Sequence, residues 1–229
     1  MRFILPLLAA LVLIVPVACG GGDDTASSET TTEQAALTLS QRLVTAEDAP
    51  GSKPDPVEQG GTTVKFDEFI QALGDLDIDP DTKEMTTVFK GAGFEGAGSG
   101  TRFFGATHTR TAPHVSSSVV QLESEEGATS ALDWLETDTM KPCRMSCAVQ
   151  RSTFDVDDIP GARGVHRSAT ADDIARVGTP DERPFDSYWV GFTDGSFVYT
   201  VDLHGPPGSV TEEQALKIAQ AHYERLKGN

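Results

Sequence analysis

Two thiols and two thioethers fall within one short stretch, Met140, Cys143, Met145 and Cys147. Sulfur ligands of this softness suit Cu(I), so a thiol-redox or copper-handling role is one reading of the C-x3-C pair. A small structural disulfide is the other. Four positions apart on a helical turn, two α-carbons lie about 6 Å apart, within bridging range. Closing so short a loop contributes on the order of 2 kcal/mol in the chain-entropy model. The Cys143–Cys147 disulfide is the preferred reading.

The other constellations fit known chemistry less well. Gly91-Ala-Gly93-Phe-Glu-Gly96 matches G-x-G-x-x-G, but a dinucleotide fingerprint needs a strand before it and a helix after it. Here the pattern runs helix then strand, so the stretch reads as a flexible connection. Asp75, Asp77, Asp79 and Asp81 have the spacing that opens a calcium loop. Pro80, however, stands where the loop needs glycine, and Thr86 where it needs a bidentate glutamate. His108, His114, His166, His204 and His222 show no H-x3-H or HExxH spacing, and no G-x-S-x-G is present. Trp134, Tyr188, Trp189 and Phe192 could line a pocket, although aromatic residues at such spacings more often form core. No catalytic residue, cofactor site or metal site is expected.

The third cysteine, Cys19, closes a different kind of stretch. Arg2 is followed by an apolar run from Phe3 to Ala18, interrupted by Pro6 and Pro16 and followed by glycines and acids. That order is a secretion signal and its cleavage point, at the short end for a helix crossing a ~30 Å hydrocarbon core and without a basic stop behind it. Ending Val17-Ala18-Cys19, it resembles a bacterial lipobox, in which the cysteine thiol takes a diacylglyceryl group. Two acyl chains hold a protein to a bilayer where one does so only reversibly. Residues 1–18 are therefore expected to be a lipoprotein signal peptide. Residues 19–36, polar and low in complexity, are expected to be the lipidated Cys19 and a disordered tether reaching roughly 20 Å. The expected location is the outer face of the cytoplasmic membrane. An ordinary secretory signal cut near Ala18 is the alternative.

The net charge of −17 argues against nucleic acid, whose phosphates require lysine and arginine. It argues equally against polybasic contact with a membrane surface. The expected partners are the membrane, through the anchor alone, and a small molecule, an envelope component or a protein.

Residues 37–229 must position whatever this body binds. Leu37, Leu39, Leu43 and Val44 suggest a short strand or a single helical turn before Asp48-Ala49-Pro50-Gly51. Val64 to Leu73 reads as a helix stopped by Gly74, and a second helix opens at Asp79-Pro80. Strands are expected over 101–111 and 115–122. A helix capped by Ser124 and running through Glu136 follows, then strands near 148–156 and 164–168. Asp194-Gly195 joins two more strands as a hairpin. Thr211-Glu-Glu-Gln214 is a capping box opening a helix that buries Ala215, Ile218, Ala219, His222 and Leu226. Hairpins without βαβ alternation predict an α+β fold, an antiparallel sheet of about six strands with helices packed on it as a sandwich.

The segments LVTAEDAPG, SSSVVQLESEEGATSALDWL, FDVDDIPGARG, VGFTDGSFVYTVDLHGP and TEEQALKIAQAHYERL together resemble the exported α+β lipoproteins of actinobacteria. These include proteins similar to the extracytoplasmic sensor domains of receptor-type Ser/Thr kinases. The resemblance spans roughly Leu37 to Leu226. It implies a ligand-binding or sensing domain built around a sheet and cleft, without catalysis. Only Cys19 matches a functional position. The expected function is thus a lipid-anchored, sensor-like binding lipoprotein, with a carrier of lipid or another apolar envelope molecule as the alternative.

Overall fold

Antiparallel pairing governs the molecule from edge to edge. The structure is a computed structural model that describes residues 37–55, 61–75, 82–105, 112–141, 149–177 and 183–228. Its strands are β1 (Ser52–Pro54), β2 (Thr62–Thr63), β3 (Phe94–Phe104), β4 (His114–Leu122), β5 (Gln150–Phe154), β6 (Arg163–Ala169), β7 (Phe185–Asp194) and β8 (Phe197–Gly205). They form one sheet in the order β1-β3-β4-β8-β7-β6-β5, with β2 also on β3. The helices are α1 (Phe66–Asp75), α2 (Thr82–Gly91), α3 (Glu125–Met140), α4 (Ala171–Val177) and α5 (Glu212–Lys227). The expected α+β class is what is observed. The sheet is wider than six strands, because β1 and β2 are too short to give an alternating signal.

Helices cover both faces of this sheet. Successive side chains of a strand point to opposite faces, and here both sets are apolar at the centre. Val115, Val119, Val190, Phe192, Tyr199, Val201 and Leu203 pack against Ala215, Ile218, Ala219 and Leu226 of α5. Ala97, Val120, Leu122, Val165, Trp189 and Val198 pack on the other face with Ala128, Ala131 and Leu132 of α3 and with Phe69, Met85 and Phe89 of α1 and α2. The caps follow the sequence. Ser124 Oγ accepts from the Gly127 N–H, and both bonds of the Thr211–Gln214 box form. Gly195, at φ +56°, closes the β7–β8 hairpin as expected.

Three expectations change. Residues 94–98 are strand rather than a flexible connection, and the glycines there have a packing reason. A β-carbon on Gly96 would sit 3.0 Å from Leu39 Cδ1, one on Gly98 3.5 Å from the Leu39 carbonyl, and one on Gly100 3.4 Å from Leu43 Cδ1. Alternate glycines clear one face of β3 so that the segment 39–43 can cross it. That segment, including a single 3-10 turn at Ser40–Arg42, is the strap that brings the chain onto the α5 face. Second, α1 starts at Phe66, leaving Val64 in the preceding turn at 76% exposure rather than on the helix's buried face. It also continues through Gly74 to Asp75. Third, α3 runs one turn past Glu136 to Met140. The expected opening of α2 at Asp79-Pro80 lies outside the described residues.

Candidate functional site

The α3 face of the sheet changes character along its strands. Where the helices lie, the sheet presents Ala97, Val120 and Val198. Towards the other end of the same strands, and on the same face by alternation, the residues become polar. Ser99, Ser118 and Thr200 form one cross-strand row; Thr101, Ser116, Asp202 and Trp189 the next; Phe103, His114, His204, Ser187 and Arg167 the third. Most of these polar residues are half-buried and Ser187 is fully buried, so the patch lies between core and solvent.

Its centre is an ion pair. Arg167 Nη2 donates to Asp202 Oδ2 and, at 2.8 Å, to Ser187 Oγ, while the Ser187 hydroxyl donates to Asp202 Oδ1 at 2.6 Å. Burial acts to raise the Asp202 carboxyl, but Arg167, the Ser187 hydroxyl and His204 outweigh it and hold the group below the ordinary carboxylate range. The Asp202 and Arg167 side chains are half-buried, each keeping 27% of its surface open. Arg167 Nε is buried with no hydrogen-bond partner, a costly state that native proteins seldom keep without reason. Burial lowers the His204 pKa, with neighbouring His114 and Arg167 adding to the fall and Asp202 opposing it.

Rings line one side of the pair. Phe103, His114, His204 and Phe185 follow one another at centroid separations of 5.2, 5.1 and 5.0 Å. The His114 Nδ1–H donates to the Ala112 carbonyl at 2.9 Å, which leaves Nε2 as an acceptor. Hydroxyls line the other side. Ser118 Oγ and Thr200 Oγ1 are bonded at 2.7 Å, and Thr101 Oγ1 and Ser116 Oγ at 3.2 Å. Ser187 is fully buried, with its proton engaged by Asp202; it is not placed as a nucleophile.

A second polar cluster occupies the opposite face, beyond α5. The His166 ring stacks on Tyr188 at 4.4 Å, and its Nε2 lies 3.4 Å from Asp186 Oδ1. A cavity of about 380 Å³ borders it, lined by Gln150, Ser152, His166, Ser168 and Thr170. The Asp173 carboxylate beneath is committed to the Thr170 N–H and hydroxyl.

The singled-out residues are thus distributed unevenly. His114 and His204 come together; His166 belongs to the second cluster; His222 is buried under the strap. Trp134 and Trp189 are core on the α3 face, and Phe192 is core on the α5 face, so the four aromatic residues do not share a pocket. Cys19, Cys143, Cys147, Met145, His108, Asp77, Asp79 and Asp81 lie outside the described residues. Among the described residues no three His, Cys, Asp or Glu side chains converge on a metal position, and no helix is long and apolar enough to cross a membrane. Sequence reasoning missed Arg167, Ser187 and Asp202. The signal available was a polar residue at every second position of strands whose other positions are Val, Leu and Tyr, as in Tyr199-Thr-Val-Asp-Leu-His204.

No protein-family model matches this chain, and no curated protein matches it. Among solved structures it is similar to the crystal structure of the extracellular domain of PknH from Mycobacterium tuberculosis. The likeness has a TM-score of 0.49 at 13% identity and covers 83% of this chain and 95% of that one.

Proposed function

We propose that the protein is a non-catalytic, sensor-like binding protein, held at the outer face of the cytoplasmic membrane by acylated Cys19 and a short polar tether. The Arg167–Ser187–Asp202 cluster carries the binding half of this reading. An ion pair taken partly out of water is weak evidence for stability, since apolar residues of similar size often serve the fold as well. Its retention in the middle of a sheet, together with an unsatisfied Arg167 Nε, is accounted for by a ligand seat. The sequence of residues 1–36 supports the location.

Native mass spectrometry of the protein gently extracted from its host membrane tests the binding half. The expected spectrum shows a retained non-covalent adduct that is depleted in a Thr200→Val variant of unchanged thermal stability. An adduct-free spectrum for the wild type, or an adduct indifferent to Thr200→Val, contradicts it.

A further inference from the structure

We infer that the patch around Arg167 and Asp202 binds a neutral polyhydroxylated ligand, a short saccharide segment of the envelope. The inference rests on the binding reading above and adds the chemistry of what is bound.

Charge removes the first class of alternatives. Arg167, the cation at the centre of the patch, is already matched by Asp202, and the chain as a whole carries −17. A phosphate or carboxylate ligand would meet no uncompensated positive charge there and would approach a body that repels it.

Hydrogen-bond capacity removes the second. A hydroxyl offers one donor and two lone pairs, so each bonded pair, Ser118–Thr200 and Thr101–Ser116, keeps one donor and three acceptor sites to spare. His114 Nε2 adds an acceptor. An acceptor-only anion leaves most of these sites unmatched. An apolar lipid tail leaves all of them unmatched, at about 1–3 kcal/mol for each polar group buried without a partner. Sugar hydroxyls donate and accept in the same mixture as the patch. A pyranose also has apolar C–H faces suited to flat rings, and the row Phe103–His114–His204–Phe185 supplies rings of that kind beside the hydroxyls.

The test titrates the full-length protein in detergent with a panel of neutral oligosaccharides, namely glucan, mannan, galactan and arabinan fragments of about four to six sugars. Isothermal calorimetry and tryptophan fluorescence are the readouts, since Trp189 lies opposite Asp202 in the same row. Saturable binding of at least one glycan is expected, weakened about tenfold or more by Thr200→Val and by Ser116→Ala. Both variants should keep the wild-type circular dichroism and melting temperature within a few degrees. Saturation by the uncharged apolar probe N-phenyl-1-naphthylamine, sensitive to Thr200→Val while no glycan binds, overturns the saccharide assignment and leaves the binding reading standing. If neither the panel nor the probe binds the folded protein, both fail. Glycan binding unaffected by either variant overturns the assignment to this patch.

Discussion

His222 Nε2–H, on the C-terminal helix, donates to the Arg42 carbonyl at 2.7 Å, joining two positions 180 residues apart. The bond fixes the neutral tautomer and leaves Nδ1 buried without a partner, against Phe192 and Tyr199. Around it, Arg42 Nη1 donates to Tyr199 Oη, Arg225 Nη2 to the Leu43 carbonyl, and the Val44 N–H to Ser117 Oγ. The strap, residues 39–44, is therefore held by α5 and the sheet together.

Acid should loosen this joint. Burial drives the His222 pKa down from 6.5 to about 4. The unfolded chain binds its proton first as pH falls, so the neutral ring's contribution is intact above about 6.5 and disappears towards 4. The loss amounts to roughly 3 kcal/mol across that window. Asp48 and Asp202, both held below 3.8, extend the loss to still lower pH. Chemical denaturation at pH 7, 5.5 and 4 measures the slope. His222→Gln, which keeps a donor towards Arg42 without the titrating ring, should flatten it between 6.5 and 4; an unchanged slope would show that His222 is not its source.

Arg225 closes the same joint by charge. Its Nε donates to both carboxylate oxygens of Asp48, at 2.9 and 3.0 Å, and the Asp48 side chain is almost wholly buried. Replacing Arg225 with Met leaves that buried carboxylate with only its bonds from Thr45, which is expected to cost about 3 kcal/mol. Asp48→Asn in the same chain should restore part of it. Hydrogen exchange at the Val44 amide reports the strap directly and should accelerate in Arg225→Met, ahead of the amides in β7 and β8.

Gly191 shows how closely α3 sits on the sheet. A β-carbon there would lie 2.6 Å from Leu132 Cδ1 and 2.4 Å from Trp189 Cη2. Gly191→Ala is expected to destabilise the fold by about 1–3 kcal/mol through overpacking. Leu132→Ala in the same chain should relieve part of the strain. Additive losses in a double-mutant cycle would contradict that contact.

Elements with their own local chemistry were legible in the sequence. The capping box and five-residue buried stripe of α5, the Ser124 cap of α3 and the Asp194-Gly195 hairpin each stand where their residues predict. Elements determined by distant neighbours were not. The glycines of β3 read as a loop because their reason is Leu39 and Leu43, about 60 positions earlier in the chain. Val64 has the right period for α1 but precedes it. The polar patch was hidden for a related cause. Arg167, Ser187 and Asp202 sit on three strands, and only the register of the sheet makes them neighbours.

The tether is the account's central claim, and it reduces to the state of one thiol. Membranes and culture fluid from the host should be separated and the mature protein in each weighed intact. The account predicts protein in the membrane fraction beginning at Cys19 and carrying a diacylglyceryl increment, with Cys19→Ala displacing it from that state. Mature wild-type protein recovered from the fluid with an unmodified Cys19, or with Cys19 removed, would contradict it.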